Sequence, residues 1–278
     1  MRGLLITMCL AGFMPVYGQS LKVMTYNIRY DNVGDGMNQW SHRKEKVASL
    51  IRKNNPDLIG VQEALSGQLK DLLLLLPDYT AYGVGRDDGK EKGEYSAILV
   101  RHSRFGVLKD STFWLSETPA IAGSKGWDAQ LPRVATWTKL YDRETKKDIL
   151  YINTHFDHVG VKARTNSAIL INTFLVDFYR ANPMPLILSG DLNVQRDTEA
   201  FKILTEPKFL FDSKPENNTD ITCCGFEVAN TKCVAIDYIM HSKEMKVTQY
   251  LVLHDSDGKY YPSDHLPVIS EFEFVSLK

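Results

Sequence analysis

Pro262-Ser263-Asp264-His265-Leu266-Pro267 runs directly into the apolar stretch Val268-Ile269-Ser270-Glu271-Phe272-Glu273-Phe274. Two segments upstream share this form. Ser189-Gly190-Asp191-Leu192-Asn193 follows an apolar run at 184–188, and Ile236-Asp237-Tyr238-Ile239 lies within one at 234–240. Short β-branched runs of this kind read as buried strands. Strands that carry Asp, Asn and His at their ends can turn those side chains into one pocket. Carboxylates, a carboxamide and an imidazole gathered there suit metal-assisted attack on a phosphoester.

The same reading extends outward. Residues 21–28 form a better strand than anything before them, and it carries Asn27 at its end. Ser41 is expected to cap a helix over 42–53, with Glu45 completing a capping box. A strand over 57–62 precedes Glu63, and Ser66 is expected to cap a second helix through 76, stopped by Pro77. Strands follow at 79–84 and 95–100, separated by the charged, glycine-bearing loop 85–93. Residues 116–132 make a long loop holding Trp127, and such loops are more often functional than idle. A hairpin is expected over 134–141 and 149–156. Residues 162–180 read as an amphipathic helix with Ala168, Leu170, Ile171, Phe174, Leu175 and Phe178 inward. A short helix near 198–205 and strands at 246–253 and 266–275 complete the chain. Without a linker or repeat, residues 19–278 read as one α/β domain, with two packed sheets and helices outside.

Residues 1–18 read as an export leader: Arg2, then an apolar core from 4 to 16, then Tyr17-Gly18-Gln19 as a cleavage region. That core is too short for a membrane span. The expectation is a soluble, exported mature protein, periplasmic or extracellular, with no obligate protein partner. The formal net charge is −1, and losing Arg2, the only charge in the leader, takes it to −2. Proteins that bind long nucleic acids through backbone phosphates are usually basic, so the balance argues against a non-specific nuclease. Beyond Cys9 in the leader, three cysteines remain, and a link from Cys233 to Cys223 or Cys224 is expected in an oxidising compartment. A zinc site would need three or four ligands, and no histidine lies near in sequence.

Met24-Thr25-Tyr26-Asn27-Ile28-Arg29, Val61-Gln62-Glu63, Asn153-Thr154-His155, Gly190-Asp191-Leu192-Asn193, Ile236-Asp237-Tyr238 and Ser263-Asp264-His265 occur in that order. Each alone is weak. As an ordered set they resemble the endonuclease/exonuclease/phosphatase superfamily, which implies a four-layered αββα sandwich with the site at one end. The resemblance implies Mg²⁺, with Mn²⁺ as the alternative, on Asn27, Glu63 and Asp264. It implies that Asp191 orients or deprotonates a water, that Asn193 contacts the phosphate, and that His265 binds phosphoryl oxygens while Asp237 orients it. His155 matches a second catalytic histidine of the deoxyribonuclease-like branches, with Glu94 as its carboxylate partner. Abasic-site endonucleases carry tyrosine at the position of His155, so this chain departs from them.

Taken singly, these residues have plainer readings. Glu63 would be an exposed loop carboxylate, Asn27 a turn former, and Asp191 and Asn193 an Asx-turn at a strand end. The ordered set reverses those readings. Arg133, His158 and Trp127 are the candidate substrate contacts. Arg133 is ranked ahead of Trp40, Arg43 and Arg164 because it closes the 116–132 loop; arginines on such segments more often brace structure. The implied reaction is in-line attack of water on a phosphodiester or phosphomonoester, from a small molecule or a short nucleic acid. An exported nuclease is one alternative. A binding module that kept the fold without the chemistry is the other, and it predicts broken ligands.

Overall fold

A computed structural model describes residues 20–206 and 209–275. The expected leader, with Cys9, lies outside the described residues. In chain order the strands are β1 (Leu21–Asn27), β2 (Leu58–Ala64), β3 (Tyr79–Tyr82), β4 (Tyr95–Arg101), β5 (Phe105–Trp114) and β6 (Val134–Asp142). They continue as β7 (Lys147–His155), β8 (Leu186–Asp191), β9 (Phe211–Asp212), β10 (Asp237–His241), β11 (Met245–Val252) and β12 (Val268–Phe274). The helices are α1 (Trp40–Asn54), α2 (Ser66–Leu75), α3 (Val161–Ala181) and α4 (Glu199–Thr205).

The strands form two six-stranded sheets, in the orders β11-β12-β1-β2-β4-β3 and β5-β6-β7-β8-β10-β9. Each is mixed: β1 pairs parallel with β2 and antiparallel with β12, and β7 pairs parallel with β8 while β10 runs antiparallel to it. Three apolar clusters define the layers. Met24, Tyr26, Ile28, Ile59 and Val61 pack against Val47, Ile51, Leu69 and Leu72 of α1 and α2. Leu150, Ile152, Leu186 and Leu188 pack against Ala168, Ile171, Leu175, Phe201 and Leu204 of α3 and α4. Leu21, Val23, Leu58, Ile149, Tyr151, Ile187 and Ile239 fill the space between the sheets. The architecture is therefore the expected αββα sandwich. Burying each of these large aliphatic side chains contributes about 1.5–3 kcal/mol.

Strand periodicity explains how the site is made. Side chains alternate faces with period two. The residues that fill the inter-sheet core are odd-numbered in β1, β7, β8 and β10. Continuing that parity carries Asn27, His155, Asp191 and Asp237 onto facing surfaces at one end of the sandwich. Below them the inter-sheet layer turns polar. Gln62 Nε2 donates to Thr25 Oγ1 (2.9 Å) and Asn153 Oδ1 (2.7 Å), and Ser189 Oγ donates to the same oxygen (3.1 Å). Asn153 Nδ2 crosses to the main-chain oxygens of Val61 (3.0 Å) and Ala97 (2.8 Å) in the other sheet.

Several local expectations need correction. The strand β5 was not anticipated: it is an edge strand whose middle is exposed, so Lys109, Asp110 and Ser111 hide its pattern. Ser41 does not cap α1, which begins one residue earlier, where Asp31 Oδ1 accepts from Trp40 N–H (3.4 Å). Ser66 likewise lies inside α2; the Gln68 side chain instead accepts from Leu65 N–H at 3.1 Å. The strand expected at 234–240 starts only at Asp237. The cysteine pairing resolves to Cys224–Cys233, with Cα atoms 4.4 Å apart, and Cys223 stays free.

Candidate active site

A cavity of about 380 Å³ opens at the end of the sandwich where the facing strands stop. Glu63, Glu94, Arg133, His155, His158, Asp191, Asn193, Asp264 and His265 all line it. The sequence motifs thus meet in space.

Asp191 is the hub. It is the last residue of β8 and is buried. Its Oδ2 accepts from Asn27 Nδ2 (3.1 Å) and lies 3.4 Å from His155 Nε2 and 3.8 Å from His265 Nε2. Oδ1 accepts from Asn193 N–H at 3.0 Å. Burial, and then the like charge of Asp237, push this carboxyl well above the ordinary range, against the pull of His265 and Asn27. Gly190, just before it, has φ +155°, and a Cβ there would sit 2.1 Å from Thr154 O on the neighbouring strand.

His265 donates from Nδ1 to Asp237 Oδ2 at 2.9 Å. Burial alone would depress its pKa. The adjacent Asp237 charge and hydrogen bond outweigh that and hold it well above the ordinary histidine value. His155 goes the other way. Burial first, then the charges of Arg133 and Arg86, push its pKa well down, so it is neutral at neutral pH. Asn193 Nδ2 donates to His155 Nε2 (3.1 Å), which leaves the ring proton on Nδ1, a buried atom without a hydrogen-bond partner. Two imidazoles in one pocket therefore hold opposite charge states. The resemblance implied that Glu94 partners His155, and here the structure disagrees. Both Glu94 oxygens are taken by Arg86, at 2.7 and 2.8 Å.

On the opposite wall, Glu63 stands at a break in its strand. Pairing between β2 and β4 slips by one residue there, and Glu63 has φ +63°. The regular alternation would turn it toward α1 and α2; the left-handed residue turns it into the cavity instead. Asn193 (φ +50°) and Arg29 (φ +57°) share this conformation, which non-glycine residues rarely adopt. Glu63 Oε1 accepts from Asn27 Nδ2 (3.0 Å) and Oε2 from Tyr30 N–H (3.1 Å). Asn27 Oδ1 accepts from Arg29 N–H (3.0 Å) and retains a second acceptor position. The Arg29 guanidinium lies 3.9 Å from Glu63 and 3.8 Å from Asp264. Burial raises the Asp264 carboxyl, His265 draws it back, and Glu63 adds to the rise. Crowded carboxylate and amide oxygens with too little positive charge are the donor set that a hard divalent cation relieves. The residues named from the sequence for Mg²⁺ therefore fit one. Asp191, Asp237 and His265 also bring ligand atoms within 4.8 Å of one another.

Other expectations fare unevenly. Arg133 is buried, its Nη2 meets His158 Nδ1 at 2.9 Å, and both line the cavity as expected. Trp127 does not: it is half-buried outside the cavity, its N–H donating to the Glu117 carboxylate at 3.1 Å. Of the loops 116–132 and 85–93, the first contributes Leu131 to the lining, whereas the second contributes nothing beyond Arg86 behind Glu94. Asp157 accepts from the N–H groups of Val159 (3.0 Å) and Gly160 (2.8 Å) at the start of α3 and acts structurally. Sequence reasoning gave no role to Arg29, Tyr30, Cys223 and Ile236, which also line the cavity. Arg29 was inside a quoted motif, so its signal was present; Cys223 was visible only as one of two candidate partners for Cys233.

Fold and site together define a four-layered sandwich with a carboxylate, imidazole and carboxamide pocket at one end. Residues 24–265 match the Endonuclease/Exonuclease/phosphatase family, and the chain belongs to that family. Its similarities are consistent with this. It is 37% identical to an endonuclease/exonuclease/phosphatase family protein from Bacteroides thetaiotaomicron, covering 92% of this chain and 95% of that one, with a TM-score of 0.87. It is 36% identical to a mannosyl-6-phosphatase from Bacteroides thetaiotaomicron VPI-5482, covering 91% and 100% with a TM-score of 0.86. The human Nocturnin catalytic domain shares 20% identity over 92% of this chain and 94% of that one, with a TM-score of 0.72, a likeness of fold alone.

Proposed function

We propose that this protein hydrolyses a small phosphoester, best supported as a sugar phosphomonoester, by in-line attack of a water held by Asp191 in the presence of Mg²⁺ or Mn²⁺. The observation that carries the reading is the convergence on Asp191 Oδ2, which has Asn27, His155 and His265 within 3.1 to 3.8 Å. The likeness to a mannosyl-6-phosphatase supports the substrate class. So do the cavity of about 380 Å³ and a near-neutral chain, neither of which suits a long polyanion. The intact set of site residues speaks against a non-catalytic module.

Glu63, Asp264 and the Asn27 amide oxygen would hold the cation, which when bound supplies Lewis acidity to a phosphoryl oxygen. Asp191 orients the water and takes up its proton. Protonated His265, fixed by Asp237, donates to a phosphoryl oxygen as charge develops there. Asn193 Nδ2 donates to His155 Nε2 and to Phe156 O, and so fixes the neutral imidazole beside the reacting group. Export belongs to this reading, supported by the leader-like first 18 residues and the Cys224–Cys233 disulfide.

Phosphate release from mannose 6-phosphate and glucose 6-phosphate, p-nitrophenol release from bis(p-nitrophenyl) phosphate and cleavage of single-stranded DNA test this, each with Mg²⁺, Mn²⁺ or EDTA. Hexose phosphates should turn over, and EDTA should abolish it. Asp191→Ala and His265→Ala should each lower kcat by roughly 10²–10⁴-fold in folded protein. Degradation of DNA without small-ester turnover would sink the proposal.

A further inference from the structure

Arg43 bonds no carboxylate or imidazole of the cavity, yet it is the most heavily bonded arginine near it. It lies on α1, is 3% exposed, and its guanidinium sits between the rings of Trp40 (5.1 Å) and Phe226 (5.5 Å). All its hydrogen bonds go to main-chain carbonyls. Nε donates to Asn38 O (2.8 Å), Nη1 to Ile28 O and Pro262 O (3.3 Å), and Nη2 to Arg29 O (2.6 Å) and Tyr30 O (3.5 Å). Among the described residues, no carboxylate lies within ion-pair distance of it.

Those carbonyls belong to three separate stretches, and two of them carry the proposed ligands. Ile28, Arg29 and Tyr30 directly follow Asn27. With their carbonyls turned toward Arg43, the N–H groups of Arg29 and Tyr30 point to Asn27 Oδ1 and Glu63 Oε2. Pro262 leads into Ser263 and Asp264. Ser263 Oγ makes a second tie between the same two stretches, donating to Asn27 O at 2.7 Å. A buried cation with only carbonyl acceptors is costly, and packing alone would be served as well by an apolar side chain. A planar fork with five donors is what this geometry requires, and lysine cannot reproduce it.

We propose that Arg43 is a positioning residue for the divalent cation. It locks the Asn27 stretch to the Asp264 stretch, so that Asn27, Glu63 and Asp264 are arranged before an ion arrives. This rests on the metal-dependent reading above.

Direct Mn²⁺ binding, followed by electron paramagnetic resonance on purified protein, tests it alongside thermal unfolding and kcat at saturating Mn²⁺. Arg43→Lys should weaken Mn²⁺ binding 10- to 100-fold, the range for residues that orient ligands, while kcat at saturating Mn²⁺ recovers to within a few-fold. Ser263→Ala should shift affinity in the same direction by a smaller factor. Val47→Ala, a buried α1 substitution one helical turn from Arg43 that removes none of these hydrogen bonds, serves as the control for general loosening and should bind Mn²⁺ like the wild type. Unchanged affinity in Arg43→Lys overturns the proposal, as does an equal loss in Val47→Ala. Should Arg43→Lys not fold, unchanged affinity in Ser263→Ala overturns it. A wild-type protein that binds no Mn²⁺ would instead remove the metal-dependent reading itself.

Discussion

Asp237 biases the protonation of two neighbours in the same sense. Its charge is the second cause, after burial, that raises Asp191, and it is the main force holding His265 protonated against burial. Activity by the proposed route needs Asp191 ionised and His265 charged, so it should fall on the acid side as Asp191 protonates and on the alkaline side as His265 loses its proton. Replacing Asp237 by Asn removes both influences. Asp191 then ionises at lower pH and His265 discharges at lower pH, so the whole bell in kcat/KM should move down the pH scale. A pH–rate profile checks this; an alkaline limb that stays in place would contradict the assigned pair. At this scale the sequence was legible wherever a residue followed strand parity, as Asn27, His155, Asp191 and Asp237 do. It was misleading for Glu94, because the competing claim of Arg86 is a contact that neither motif nor spacing encodes. Trp127 failed for a similar reason, its main chain being held by Glu117.

At the scale of elements, most strands were recovered, β11 with its exposed positions among them, and the edge strand β5 was lost. The edge strand β5 is exposed without a break through Lys109, Asp110 and Ser111, and nothing local distinguishes it from a loop. Position 63 shows the converse. Its strand was legible, but the one-residue slip against β4 that swings Glu63 inward was not. The junction of β7 and β8 offers a sharper test. Gly190→Ala would bring a methyl group 2.1 Å from Thr154 O at a φ of +155°. Backbone strain of this kind costs of order 1–3 kcal/mol, and the contact adds to it. Urea unfolding should show a loss of at least about 2 kcal/mol, with activity lower still because Asp191 is the next residue. An unaltered midpoint would mean that the two strands are free to separate there.

For the whole molecule, Asn153 matters most. The motif Asn153-Thr154-His155 drew attention for its histidine, yet the asparagine is what joins the sheets, bonding Gln62, Ser189 and the main chain of β2 and β4. Composition could announce two sheets but not which buried amide sutures them. Asn153→Leu would leave Gln62 Nε2 and two main-chain oxygens without that partner, at about 1–3 kcal/mol for each group left unsatisfied. Thermal unfolding should therefore fall by many degrees, and a variant as stable as wild type would show that water or a neighbour replaces the amide.

The three left-handed residues that line the cavity, Arg29, Glu63 and Asn193, leave a mark on how this protein can be improved. Glycine at any of these positions would relax the main chain, so a screen for heat tolerance alone would drift toward glycine there. Each such gain would discard a side chain that lines the cavity. Durability and turnover are set against each other at the same three places, and an engineer seeking both should leave them alone and work on the far end of the sandwich.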